Sequence, residues 1–326
     1  MNIKIRWIFH VTLALAMVGA TLLVKWQFDD AMQRARAQAA QGSVLLSTPC
    51  GPIEYQEAGT GVPLLAVHGS GGGHGQGMVL AGGLASQGAR LIAMSRFGYL
   101  RTPMSADATA ASQADAHVCL LDALGIRQAV VMGYSAGAPS ALQMAIRHPD
   151  RVSALVLTVP IAYKPPDQAS SAAPLPAWVE STVSWLFSSP DFLFWSALHI
   201  SRNQLIKYVL ATPPELLVHA SAQELARVNA ILDNVLPVSP RAEGLRSDSF
   251  VGKNLTPSPL NTLRLPVLVF SARDDRYGTY ASAQYTASQI PGAKFIGFAQ
   301  GGHLLVGHND EVMEAIVTLL GTLARP

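Results

Sequence analysis

Apolar and polar positions follow two different rhythms along this chain. The first is unbroken: Ile8 to Val24 carries no Asp, Glu, Lys or Arg and is rich in Leu, Ala and Val, with Lys4 and Arg6 before it, Lys25 after it, and Trp7 and Trp26 at its two ends. A helix over this run rises about 26 Å, or about 30 Å with both tryptophans, which matches a bilayer's hydrocarbon core with an indole at each interface. The pattern predicts an N-terminal transmembrane helix, with a membrane anchor over residues 1–28 and an Ala/Gln/Arg-rich helical stalk over residues 29–42. A cleaved signal peptide is the rival, but Lys25-Trp26-Gln27-Phe28-Asp29-Asp30 gives no small-residue cleavage site close behind the apolar run. The nearest such site, Ala37-Gln38-Ala39, is distant, so an uncleaved anchor is favoured. Basic residues on the two flanks nearly balance. The very short leading tail then suggests a signal anchor, with the tail in the cytoplasm and the bulk of the chain periplasmic or extracellular.

The second rhythm begins at Ser43, where short β-branched runs alternate with longer helical patterns. Strands are predicted at Val44 to Ser47, Ile53 to Glu57, Leu64 to Val67, Arg90 to Met94, Ala129 to Met132, Ala154 to Thr158, Val267 to Ser271 and Lys294 to Phe298. Apolar positions three or four apart predict helices near Ala108 to Leu124, Pro139 to His148, Tyr280 to Gln289 and Glu311 to Leu323. This is the signature of an α/β domain over residues 43–326, an eight-stranded, mostly parallel sheet with helices on both faces. The alternation breaks at residues 161–263, where prolines gather and no strand is convincing. A plain loop of that length is implausible in a folded domain, so the segment reads as a helical cap insertion.

Composition narrows the function. Lys+Arg 23 against Asp+Glu 21, with no basic run, gives nothing to track a phosphate backbone, so nucleic acid is not an expected partner. Cys50 and Cys119 allow at most one bridge, which is too few for a disulfide scaffold, and no Cys/His cluster has metal spacing.

Four segments carry chemistry. Gly133-Tyr134-Ser135-Ala136-Gly137 lies between a predicted strand and a predicted helix, the context in which a sharp turn presents a nucleophilic serine, Ser135. His68-Gly69-Ser70-Gly71-Gly72-Gly73 follows another strand, and its glycines let backbone N–H groups approach a developing oxyanion. One donor is expected from Ala136, just after the nucleophile, and the other from Ser70 or Gly71. A serine hydroxyl needs a base and an orienting carboxylate. His303, in Gln300-Gly301-Gly302-His303, is the expected base, and His308 is read as a capping or packing residue. Either Asp274 or Asp275, at the carboxyl end of the seventh strand, would serve as the acid. The spare one is expected to pair with Arg273 or Arg276 or to cap the turn.

Taken together, these segments resemble the α/β-hydrolase fold superfamily, with a Ser, Asp, His triad in that chain order, from about Val44 to Leu323. The resemblance implies Asp275 as the acid, because that position falls three residues after the place where the family has glycine, here Ala272. Arg276 stands where the family commonly has proline. The strings Arg273-Asp274-Asp275-Arg276 and His68-Gly69-Ser70-Gly71 are similar to those of carbon–carbon-bond hydrolases that cleave meta-fission products. Arg96-Phe97-Gly98-Tyr99-Leu100-Arg101 resembles the family segment whose aromatic-Gly turn shapes the pocket floor. Serine rather than aspartate at the elbow points to acyl chemistry without a metal or organic cofactor. The expected substrate is a moderate-sized apolar carboxylic ester; the cap offers Trp178, Phe187, Phe192, Phe194, Trp195 and Leu198, each of which reads more readily as packing the cap than as contacting substrate. An amidase, a cofactor-free haloperoxidase, a carbon–carbon hydrolase and a non-catalytic membrane-anchored binding protein are the competing readings.

Overall fold

A computed structural model describes residues 3–166, 176–188 and 191–324, and the chain divides into two compact units, Met1–Gln41 and Gly42–Pro326. The first is a single helix, α1 (Ile3–Ala40), whose apolar part is long enough to cross a membrane. The expected anchor and stalk therefore fall on one continuous helix. Its polar end carries an i,i+4 pair from Lys25 to Asp29 at 2.6 Å, the spacing at which opposite charges support a helix.

The second unit contains eight strands at the places the hydrophobic pattern predicts. They are β1 (Val44–Thr48), β2 (Gly51–Ala58), β3 (Val62–Val67), β4 (Ala89–Met94), β5 (Ala129–Tyr134), β6 (Val152–Thr158), β7 (Val267–Ala272) and β8 (Lys294–Phe298). The sheet order is β1-β2-β4-β3-β5-β6-β7-β8. β2 runs antiparallel to both β1 and β4, and every other neighbouring pair is parallel. β5 and β7 are buried along their whole length, and β3, β4 and β6 along most of theirs, because helices cover the sheet on both sides. β1, at the edge, alternates exposed and half-buried positions.

The predicted helices appear as α3 (Ala110–Ala123), α4 (Ala138–Arg147), α10 (Thr279–Gln289) and α11 (Asn309–Leu323). α3 opens on a capping box, in which Thr109 Oγ1 accepts the Ser112 N–H and Ser112 Oγ accepts the Thr109 N–H, each at 3.1 Å. One helix escapes the sequence pattern: α2 (His74–Ala81) contains two glycines, which weaken any helical signal. α4 packs on α3, β5 and β6, while α10 packs on β7 and β8. Their shared core includes Leu120, Val131, Leu142, Leu155 and Val269.

Between β6 and β7 lie α5 (Ala177–Ser188), α6 (Asp191–Ile200), α7 (Arg202–Tyr208), α8 (Ala222–Asp233) and α9 (Ala242–Lys253). This is the helical insertion anticipated at residues 161–263. The side chain of Phe187 lies outside the described residues. The one bridge the cysteines allow is present, joining Cys50 in the β1–β2 turn to Cys119 on α3.

Candidate active site

The parallel register sets Val67 beside Gly133, so the ends of β3 and β5 are neighbours at one sheet edge. The chain turns there from β5 into α4. Ser135 takes a left-handed φ of 50°, a conformation that costs a non-glycine residue on the order of 1–3 kcal/mol and that points its side chain out of the turn. Gly137 makes the turn possible by close approach. A Cβ at that position would lie 2.4 Å from the carbonyl oxygen of Val67 and 2.6 Å from that of His68.

The structure brings Ser135, His303 and Asp275 together from three separate loops. His303 Nε2 lies 2.9 Å from Ser135 Oγ, and its Nδ1 lies 2.8 Å from Asp275 Oδ2. A proton on Nδ1 satisfies both contacts: Nδ1–H donates to the carboxylate and Nε2 accepts the serine hydroxyl. Asp275 is fully buried and accepts further hydrogen bonds from the Tyr277 N–H at 2.9 Å and from the Thr279 hydroxyl. Two rings hold the imidazole edge-on, Tyr277 with centroids 4.9 Å apart and Tyr134 with centroids 5.6 Å apart. The Tyr134 hydroxyl donates to the His303 carbonyl at 2.6 Å, and the Tyr277 hydroxyl donates to the Val209 carbonyl at 2.9 Å. Burial pushes both phenols far above their ordinary range, so they remain donors.

Asp274 does something else than expected. It makes no ion pair with Arg273 or Arg276 among the described residues; its carboxylate accepts the N–H groups of Gly301 at 3.2 Å and Gly302 at 2.8 Å. Arg273 and Arg276 lie over the rings of Tyr280 and Tyr208 instead. His308 stacks on Phe298 with centroids 4.0 Å apart, as a packing residue.

The glycine loop after β3 is held at every turn. The Gly69 N–H donates to Gln76 Oε1 at 2.8 Å, and the Gly71 N–H donates to the Tyr99 hydroxyl at 3.3 Å. His68 is buried, and burial followed by the nearby Arg96 charge lowers its pKa well below the ordinary value. The neutral ring accepts the Arg96 N–H at Nε2, 3.0 Å away. Tyr99 is fully buried and braces this loop, while Arg96 and Phe97 of the same segment line a small cavity beside Ala136. None of these supports was legible by spacing, because their partners come from other loops.

Ala136 borders a cavity of about 30 Å³, walled also by Arg96, Gln113, Pro139 and Asp248. A second cavity of about 550 Å³ shares Pro139 and Val251 with it and is lined by Leu142, Tyr163, Phe250 and Tyr285, with no charged side chain among the described residues. Among the described residues, the cap aromatics singled out in the sequence do not line it. Phe194, Trp195 and Leu198 are buried in cap packing, while Trp178 and Phe192 are exposed.

Comparison with known proteins agrees with the fold. A sequence profile of the alpha/beta hydrolase fold matches residues 62–310, and the chain belongs to that family. It is similar to 2-hydroxymuconate semialdehyde hydrolase of Pseudomonas putida, 42% identical over 104 residues, which covers 31% of this chain and only 37% of that protein. A longer match joins it to 2-hydroxy-6-oxononadienedioate/2-hydroxy-6-oxononatrienedioate hydrolase of Paraburkholderia phymatum, 27% identical over 77% of this chain and 84% of the relative. Among solved structures, an alpha/beta hydrolase fold protein from Nakamurella multipartita superposes with a TM-score of 0.63 at 26% identity, over 85% of this chain and 98% of that one. An esterase from Rhodococcus shares the fold alone, with a TM-score of 0.65 at 19% identity over 87% of this chain and 100% of that one.

Proposed function

We propose that this hydrolase cleaves carboxylic esters of apolar acyl or alkyl groups through an acyl-enzyme on Ser135. The observation that carries the reading is the continuous line from Ser135 Oγ through the His303 ring to Asp275, with contacts of 2.9 and 2.8 Å. Ser135 Oγ attacks the ester carbonyl carbon as its proton passes to His303 Nε2, and Asp275 stabilises the resulting imidazolium. The carbonyl oxygen becomes an oxyanion held by the N–H groups of Ala136 and Ser70, since the Gly71 N–H is already given to Tyr99. Collapse expels the alcohol, which takes the proton from His303. A water then gives a proton to His303 and attacks the acyl carbon, and return of that proton to Ser135 frees the acid.

The 550 Å³ cavity, which adjoins the smaller one at Pro139 and Val251 and carries no charged side chain among the described residues of its lining, supports a neutral substrate. The Paraburkholderia relative is named for a dioate, an anion, and carbon–carbon bond hydrolysis is the second reading that such relatives favour. We also propose that α1 is an uncleaved anchor holding the domain outside the cytoplasm. The Cys50–Cys119 bridge supports this, because disulfides persist in oxidising compartments.

The test offers the detergent-solubilised full chain p-nitrophenyl esters of increasing chain length and a fluorophosphonate label. Turnover that rises with chain length, and a label on Ser135 that Ser135→Ala abolishes, are expected. Turnover confined to vinylogous diketones would assign carbon–carbon cleavage, and absence of both labelling and turnover would leave a binding protein. A C-terminal alkaline phosphatase fusion, active only outside the cytoplasm, reports the orientation.

A further inference from the structure

The cap is joined to the glycine loop through one buried carboxylate. Asp248, on α9, accepts both arms of the Arg96 guanidinium, at 2.6 and 2.8 Å, the Ser70 hydroxyl at 2.8 Å and the Tyr99 hydroxyl at 2.5 Å. Both ion-pair side chains are only 8% exposed. Each partner also holds the loop's backbone: Arg96 Nε donates to the His68 carbonyl at 2.9 Å, and the Tyr99 hydroxyl accepts the Gly71 N–H at 3.3 Å. The carboxylate thus ties together the residues on both sides of the Ser70 N–H.

The way α9 is seated makes this contact a built one. Gly244 lies four residues before Asp248, on the same helix face, and its N–H donates to the Gly98 carbonyl at 3.1 Å. A Cβ at Gly244 would lie 2.2 Å from the Tyr99 ring, so only glycine lets the helix come this close. One turn further on, that close approach delivers Asp248 to the loop.

We propose that Asp248 is a positioning residue for the oxyanion site: the cap helix α9 supplies the strut that fixes the Ser70 N–H, so the site is complete only while the cap is seated. The proposal rests on the serine hydrolase reading. An oxyanion donor acts only if it is fixed before charge develops, so freeing the loop costs transition-state stabilisation and leaves substrate binding nearly intact.

The experiment uses the full chain in detergent with p-nitrophenyl butyrate, a phenylalkyl boronic acid as a transition-state mimic, and fluorophosphonate labelling. Asp248→Asn leaves Arg96 unpaired, so Tyr99→Phe, which removes only a hydroxyl, is the second variant. Both are expected to lower kcat about 10- to 100-fold with KM changed less than about threefold, somewhat below the loss of an entire oxyanion donor. Boronate affinity should fall in parallel with kcat, while the unfolding temperature of Tyr99→Phe stays near the wild type. A loss confined to KM or to unfolding temperature, or wild-type boronate affinity in both variants, would overturn the proposal and leave the esterase reading intact. A wild-type chain that neither labels nor turns over would end both.

Discussion

The carboxylate of Asp274 accepts the Gly302 N–H at 2.8 Å, one residue before the imidazole that Asp275 meets at 2.8 Å. Two adjacent aspartates therefore act on one loop in different ways. One fixes the backbone that carries His303, and the other sets the tautomer of its ring.

This division predicts unequal losses. Asp275→Asn offers the ring an amide and disturbs the tautomer, so kcat should fall about 10⁴-fold. Asp274→Asn keeps an acceptor for one glycine N–H and should lower kcat about tenfold or less, with a stability loss of about 1–2 kcal/mol. Initial rates and urea unfolding of the two variants check this; comparable rate losses would show that the two carboxylates do not divide the roles as assigned.

At the elbow, the 2.4 Å between a built Gly137 Cβ and the Val67 carbonyl oxygen leaves no room for a methyl group, and the obstacle is backbone. Gly137→Ala should cost about 2 kcal/mol or more, because β3 or α4 must shift. It should also impair labelling of Ser135, since the displaced turn carries the nucleophile. Guanidinium unfolding midpoints and labelling rates measure the two effects; a variant as stable as the wild type would mean that the elbow is looser than this geometry.

Much of this was readable in the sequence, and the exceptions share a cause. All eight strands and the Ser135, His303 pair announced themselves: the central parallel strands are plain apolar runs, the antiparallel β2 alternates apolar and polar residues, and the elbow's glycines stand at fixed offsets. The α2 helix did not, since its glycines mask the helical period. Asp248 gave no signal either, being 178 residues from Ser70 along the chain. The role of Asp274 is likewise a matter of which backbone groups face it. Local pattern specifies elements, whereas a hydrogen bond across loops depends on how those elements pack.

His117, on α3, is fully buried with Nε2 3.0 Å from the Ser140 hydroxyl, and burial lowers its pKa from 6.5 to about 3. Above pH 6.5 the ring is neutral in both folded and unfolded chains and contributes no pH dependence. Between 6.5 and about 3 the unfolded chain binds the proton and the folded chain does not, so stability falls with acidification. One such proton sets a slope on the order of 1 kcal/mol per pH unit. Urea unfolding at pH 7.5 and 4.5 should show a smaller loss for His117→Gln than for the wild type by that one-proton slope, with His68 contributing in the same direction to both. Equal losses in the two proteins would mean that the ring titrates normally and is reached by water.

The Cys50–Cys119 bridge joins the β1–β2 turn to α3 across 69 residues of sequence. It therefore closes a loop that holds β2, β3, β4 and the glycine loop. Cross-linking a loop of that length restricts the unfolded chain and is worth about 4 kcal/mol on a chain-entropy argument. The triad residues all lie outside that loop. Cys50→Ser/Cys119→Ser should accordingly lower the unfolding temperature by several degrees and leave kcat at low temperature within about twofold of the wild type. Mass spectrometry after alkylation without reductant should find neither thiol modified in protein made outside the cytoplasm, and both modified in protein whose α1 has been replaced so that the domain stays inside. Alkylated cysteines in the exported protein would remove the bridge, and with it the support it lends to an extracytoplasmic domain.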